Sequence, residues 1–305
     1  MTSTQVSENS FLAEIAWEVA NQVGGIYTVI RSKVPQSTKT WGKNYCLIGP
    51  YMHQNAISDF EEEQLDDSPI SRAVEKCRQN GLDIHMGRWL VSGRPQTILL
   101  DHYSIMHKLG DIKYYYWQNH HIDFKTNDSL IDEVMAFGYM VHHFLSALAR
   151  ELLDEDRTMI AHFHEWMAGT AIAEIRREQI PIKTIFTTHA TMLGRYLAMN
   201  DTEFYDHLPF YNWEKEAAKF NIDTVVRLER SAVHGAHVFT TVSDVTGREC
   251  AHLLGRSPDV VTPNGLNIER FSVLHEVQNL HHRHKRTLEQ FIMGHFFQSY
   301  SFDLS

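Results

Sequence analysis

Residues 159–188 read MIAHFHEWMAGTAIAEIRREQIPIKTIFTT, and this stretch decides the fold class. Residues 159–163 are an apolar run of strand length, and residues 168–177 have helical character. Residues 184–188 combine β-branched and aromatic side chains as a second strand. A strand, a helix and a strand in succession predict a right-handed βαβ unit with parallel strands. The same alternation extends outward on both sides. Residues 11–17 (FLAEIAW) form a buried strand that runs into Val23-Gly24-Gly25, and residues 26–34 read as a helix. Residues 45–48 are a strand closed by Gly49-Pro50, residues 58–67 an acidic, solvated helix or loop, and residues 84–91 with 97–100 a strand pair. Leu130, Val134, Phe137, Val141, Phe144, Leu148 and Leu152 recur every three or four residues, which makes one apolar face of a long helix. Residues 238–242 read as a strand. Residues 244–254 read as a helix with Gly255 as its C-cap, and Val260-Val261 leads into the turn Pro263-Asn264-Gly265. The tail from His275 is helical again. The expected fold is α/β, a doubly wound, mostly parallel Rossmann-like sheet. Ligands in such sheets bind beyond the carboxyl ends of the strands.

Composition narrows the function classes. The chain has 305 residues, 43% hydrophobic and 22% charged, enough to bury a sizeable core as one large domain or two. A net charge of −10 argues against a nucleic-acid or anionic-membrane partner and leaves room only for a local basic cleft. Cys46, Cys77 and Cys250 are far apart and odd in number, which fits a reducing compartment rather than a disulfide framework. The polar start, Met1 to Ser10, has no signal-peptide pattern, and no apolar run reaches the roughly 18 residues of a membrane span. A cytoplasmic location is therefore expected.

Several strand ends carry candidate chemistry. Gln22-Val23-Gly24-Gly25-Ile26 places paired glycines before a helix, where a ligand phosphate or sugar can approach backbone N–H groups; a plain tight turn is the other reading. No GxGxxG and no GxxxxGK[ST] string is present, so dinucleotide and P-loop readings lose their support. In His162-Phe163-His164-Glu165-Trp166 the alternation puts His162 and His164 on one face, with Glu165 starting a loop. Two histidines and a carboxylate suit zinc, but no HExxH helix follows and no fourth ligand is evident. A carboxylate for a polyhydroxyl ligand, or a structural histidine pair, remains open. His189 leaves the strand of Thr187-Thr188-His189-Ala190-Thr191 where a ligand belongs, and the Arg195 guanidinium would suit a phosphate. Against this, His189 could cap the sheet and Arg195 pair with a surface acid. Asp244 reads as a helix cap. In the tail, His275, Gln278, His281 and Lys285 share one helix face that is either solvated or suited to a phosphorylated small molecule.

The strings Trp17 to Tyr27, His162 to Trp166, Thr187 to Tyr196, Val238 to Ser243 and Thr262 to Asn267, in this order, resemble the amino-terminal half of eukaryotic glycogen (starch) synthases. The resemblance implies a GT-B glycosyltransferase, with two Rossmann-like domains facing across a cleft. It implies transfer of glucose from UDP-glucose to the non-reducing end of an α-1,4-glucan such as glycogen with retention, without a metal or other cofactor. It makes His189 and Glu165 the catalytic-site residues, with Glu165 lining the sugar site. Gln22, Gly24, Gly25, His189 and Arg195 become donor contacts. The string His275-Glu276-Val277-Gln278-Asn279-Leu280-His281, with Lys285, resembles the family's glucose 6-phosphate segment. Glycogenin as a partner and a homo-oligomer in the full-length protein follow from the resemblance only. The expected division is a polar tail at 1–10, a Rossmann-like domain at 11–274 and a helical segment at 275–305 leading towards a second domain.

Two departures matter. The family has Lys or Arg where this chain has Gln22, and residues 222–227 (IDTVVR) lack its aromatic and basic pattern before Glu229-Arg230. The sequence is expected to be an incomplete half, inactive without the carboxyl-terminal domain. A catalytically inactive glucan-binding or regulatory subunit is the alternative. A nicotinamide oxidoreductase fails for want of the glycine fingerprint.

Overall fold

Phe11, Ala13 and Ile15 point to one face of the first strand, while Leu12 and Ala16 pack on the other, so both faces of this strand need cover. The computed structural model describes residues 9–53, 58–125, 128–265 and 275–296. In chain order the strands and α-helices are β1 (Ser10–Ala16), α1 (Gly25–Trp41), β2 (Tyr45–Pro50), β3 (Phe60–Glu62), α2 (Pro69–Gln79), β4 (Ile84–Trp89), β5 (Gln96–Leu100), α3 (Leu109–His120), α4 (Ser129–Asp154), β6 (Thr158–His164), α5 (Glu165–Gly169) and α6 (Ile172–Arg177). There follow β7 (Ile182–Thr188), α7 (Met192–Asn200), α8 (Phe204–His207), α9 (Trp213–Lys219), α10 (Asp223–Gly235), β8 (Val238–Thr241), α11 (Asp244–Glu249), β9 (Val260–Val261) and α12 (His275–Phe296).

The strand order is β3-β4-β5-β2-β1-β6-β7-β8-β9. All pairings from β5 to β9 are parallel, and only β4 runs against its neighbours. The expected doubly wound, mostly parallel α/β sheet is therefore present. From β1 the chain winds outward through β2 on one side and later through β6 on the other. The topological switch point lies between β1 and β6.

The two faces differ in kind. One is largely apolar, with Ala13, Ile48, Ala161, Phe163, Phe186 and Phe239 packed under α2, α4 and α10. The other is covered by α1 through Tyr27, Ile30 and Val34 over β1 and β2, and becomes polar towards β6, β7 and β8. Four further apolar residues, Leu193 and Leu197 of α7, Phe204 of α8 and Val226 of α10, help to close a small helical cluster after β7.

Local expectations were corrected along the chain. The acidic stretch 58–67 contains the edge strand β3, paired antiparallel with β4. The single helix expected at 168–177 is two, α5 and α6, interrupted at Thr170. There the Thr170 carbonyl accepts the Tyr116 hydroxyl at 2.8 Å, and a Cβ on Gly138 of α4 would lie 2.1 Å from Thr170 Oγ1. The helix after β8 ends as expected at Gly255, in the left-handed region at φ 74°, but its last turn, Cys250–Leu254, is widened to a π-type turn.

The chain divides into two compact units, Met1–Asn264 and Gly265–Ser305. The second contains α12, a single helix on which positions 275, 278, 281 and 285 fall on one side. The side chains of His275, Glu276 and Gln278 lie outside the described residues, as do most of the expected tail at 1–10, residues 266–274 of the expected first domain, and Leu266-Asn267 of the last family string. Among the described residues, no helix is long and apolar enough to cross a membrane.

Candidate functional site

The parallel register sets the site. Glu14 of β1 stands opposite His162 of β6, His164 of β6 opposite Thr187 of β7, and Thr187 opposite Thr240 of β8. Paired residues in a parallel ladder share a face, so five polar side chains line the carboxyl half of the sheet. His162 Nε2 meets Thr187 Oγ1 at 2.7 Å, and Thr187 Oγ1 meets Thr240 Oγ1 at 2.6 Å. Glu14 is wholly buried and collects three donors: the Lys33 ammonium from α1, the Tyr45 hydroxyl at 2.6 Å and His164 Nε2 at 2.7 Å. Burial alone would push this carboxyl up, but Lys33, His164 and His162 override it and hold it well below the usual carboxylate range.

His164 passes the contact on. Its Nδ1 lies 3.2 Å from His189 Nε2, and His189 Nδ1 lies 3.5 Å from the Asn264 amide nitrogen. Burial, with the nearby His164, Lys33 and Arg195, lowers the His189 pKa to about 3, so the ring is neutral at ordinary pH. Burial likewise lowers the pKa of His164.

Glu165 does not start a loop. It is the first residue of α5, held in the left-handed region at φ 66°, with its side chain buried. Backbone strain of this kind persists only where neighbours over-determine it, and here the carboxylate accepts the His189 N–H at 2.7 Å. Its pKa is raised to about 7 by burial, against the pull of the His189 N–H, Arg195 and the Ala190 N–H. A second buried acid, Glu229 of α10, accepts the Met192 N–H at 3.1 Å and the Thr188 hydroxyl at 3.3 Å. Burial and the neighbouring Glu165 raise it to about 8. The loop between β7 and α7 thus rests on two carboxyl groups. Arg195 stands exposed on α7, with no ion pair among the described residues, and its charge reaches Glu165, Glu229 and His189.

The glycine turn after β1 has its own cap. Glu18 accepts the N–H groups of Gly24 and Tyr27, each at 2.8 Å, at the start of α1. A carboxylate is a stabilising partner at a helix N-terminus. A Cβ on Gly24 would lie 3.1 Å from Glu18 Oε1, whereas one on Gly25 would meet nothing within 4 Å. Gly25 and the neighbouring Gln22 are exposed.

The zinc reading changes its ligands. Glu165 turns away to His189, and the acid beside His162 and His164 is Glu14, whose ligand atoms lie within 4.8 Å of theirs. Lys33 already stands against that carboxylate where a cation would, so the trio works as a hydrogen-bonded network.

The model of the glycogen synthase family matches residues 14–305. The chain belongs to the glycogen synthase family. Among curated relatives, the liver glycogen (starch) synthase of Homo sapiens is 42% identical over 299 residues, covering 97% of this chain and 42% of that protein. The glycogen (starch) synthase of Neurospora crassa is 41% identical over 296 residues, with the same coverage. That of Dictyostelium discoideum is 40% identical over 303 residues, covering 98% of this chain and 34% of that protein. The chain thus spans about 42% of the length of the first of these relatives. Among solved structures, a trehalose-6-phosphate synthase is 12% identical with a TM-score of 0.38, covering 80% of this chain and 43% of that one. The amino-terminal domain of Candida albicans trehalose-6-phosphate phosphatase is 16% identical with a TM-score of 0.38, covering 95% and 56%.

In this glycogen synthase family chain, His189, Glu165 and Arg195 come together around the loop after β7, and Gly24 with Gly25 opens α1 after β1. His281 and Lys285 lie in the other unit, where Lys285 sits 3.9 Å from Glu289. Reading the strands one at a time missed Glu14, Glu18, Lys33 and Glu229. A lone acid inside an apolar strand, as in FLAEIAW, was the available signal for Glu14.

Proposed function

We propose that these residues form the amino-terminal domain's part of the donor site of a UDP-glucose-dependent α-1,4-glucan glucosyltransferase, a glycogen synthase acting with retention in the cytoplasm and without a metal or other cofactor. The observation that supports it is the placement of Gly24-Gly25 after β1 and His189 after β7, on either side of the switch-point strand β6. Breaking the sugar–phosphate bond leaves positive character on glucose and negative charge on UDP. With Glu18 holding the Gly24 and Tyr27 N–H groups, the Gly25 and Ile26 N–H groups and the Arg195 cation would stabilise that phosphate, with His189 orienting the sugar. Glu165 then acts by holding His189 rather than by lining the sugar site. The positions on α12 that include His281 and Lys285 would be part of a glucose 6-phosphate site. Glycogen is the acceptor partner; glycogenin and self-association belong to the full-length protein.

Calorimetric titration of the chain with UDP-glucose tests this part of the donor site. Saturable binding that His189→Ala weakens is expected, and absence of binding at millimolar ligand would overturn the assignment. The 305 residues alone should transfer no labelled glucose to glycogen, because the cleft of a GT-B enzyme is walled by two domains. One observation favours a second reading, an inactive glucan-binding or regulatory subunit: the uncharged, exposed Gln22 beside the glycine turn. Glycogen binding without UDP-glucose binding would select it.

A further inference from the structure

An ionised carboxylate accepts hydrogen bonds and donates none. The buried Glu14 is approached by His164 Nε2 at 2.7 Å, so that nitrogen carries a hydrogen. A neutral imidazole has a single N–H, which makes His164 Nδ1 an acceptor. His189 Nε2 lies 3.2 Å from it, and two acceptors cannot share a hydrogen bond. His189 Nε2 must therefore carry the hydrogen, leaving its Nδ1 as an acceptor. The Asn264 amide nitrogen, 3.5 Å away, is a donor and agrees with that assignment.

We infer that Glu14 is a positioning residue: acting through His164, it locks His189 in the Nε2–H tautomer, so that Nδ1 is offered as an acceptor to a hydroxyl of the bound sugar. The inference deepens the donor-site reading and rests on it for the identity of the ligand. The direction of the relay has a physical origin. Lys33 and Tyr45 fill the other acceptor positions of Glu14 and keep its charge in place, and burial keeps both histidines neutral, as a one-hydrogen relay requires. The same carboxylate anchors α1 through Lys33, so the helix that follows the glycine turn and the His189 ring share one fixed point. A hydroxyl donating to Nδ1 would take the place of the Asn264 amide on a lone pair already aimed, with no tautomer change on binding.

The test is a long-range ¹H–¹⁵N correlation spectrum of the chain labelled at histidine, with His189 assigned by its loss in His189→Gln. A single Nε2–H tautomer for His189, which becomes mixed in His164→Phe or Glu14→Gln, is expected. A His189 carrying its hydrogen on Nδ1, or a tautomer indifferent to both substitutions, overturns the relay. The wild-type spectrum decides the tautomer even if both variants fail to fold. Addition of UDP-glucose should then shift His189 Nδ1, with affinity falling about tenfold in His164→Phe. A locked Nε2–H tautomer with no response to UDP-glucose would leave the relay standing and remove the donor-site reading instead.

Discussion

The Glu165 carboxylate accepts the His189 backbone N–H across 2.7 Å, tying the first residue after β6 to the first residue after β7. The bond fixes the backbone of His189, while the Glu14–His164 contact fixes its ring. With Glu229 beneath the next residues of the loop, the segment is held by buried acids whose protonation is set by burial.

Folding stability should decline with rising pH through this pair. Both carboxyl groups have folded-state values, about 7 and about 8, above the ordinary 4.5. Their stabilising contribution is therefore complete below about pH 4.5 and is lost as pH rises through 7 to 8. Glu229→Gln stays neutral and keeps an acceptor for the Met192 N–H. Its melting temperature should match wild type at pH 4 and exceed it at pH 9 by at least roughly 2–4 °C. Equal melting curves at pH 9 would show that Glu229 ionises without cost.

Glycine and cap substitutions separate folding from ligand approach at the start of α1. Glu18→Ala removes the acceptor for two N–H groups and should cost about 1–2 kcal/mol in urea unfolding. Gly25→Ala has open space around its Cβ and should leave stability within about 0.5 kcal/mol of wild type. It should nevertheless weaken UDP-glucose binding, because the added methyl occupies the approach to the turn. Undiminished affinity in Gly25→Ala would move the phosphate elsewhere.

Gln22→Lys places a cation beside the exposed glycine turn at the helix N-terminus. UDP-glucose affinity should rise about twofold to fivefold at low salt. The gain should shrink as ionic strength increases. Calorimetry in two salt concentrations checks it, and unchanged or weaker binding would place Gln22 away from the phosphates.

The α12 positions are expected to be regulatory. In the full-length protein, His281→Ala with Lys285→Ala should reduce activation by glucose 6-phosphate and leave activator-free activity nearly intact. An effector shifts a population only through differential affinity for two states, so loss of its contacts lowers coupling and not basal chemistry. Activity titrations with and without the effector measure both quantities. A fall in basal rate would assign the two residues to catalysis.

Much of the sheet was legible because alternation and strand-length apolar runs report burial directly. Residues 159–163, 184–188 and 238–242 became β6, β7 and β8 with shifts of one or two residues at their ends. The seven-residue apolar stripe from Leu130 to Leu152 lies within α4. The three-residue edge strand β3 was not legible, since its pairing depends on β4 and not on its own acidic residues. The helix α2 was overlooked although Ser68 and Pro69 mark its start, with the Ser68 hydroxyl accepting the Ser71 N–H.

The sequence by itself determined which residues stand at the carboxyl ends of strands: the glycine turn, Glu165, His189 and the Pro263-Asn264-Gly265 turn. Each is a local consequence of where an apolar run stops. Only the tertiary structure decided their partners. Glu14 and His164 are 150 residues apart and meet because β1 and β6 pair in one register, with Glu14 beside His162. Side chains alternate with a period of two, so a slip of one residue would turn Glu14 to the opposite, largely apolar face. The contact that orients the His189 ring therefore depends on strand register, a property of the assembled sheet and of no single segment.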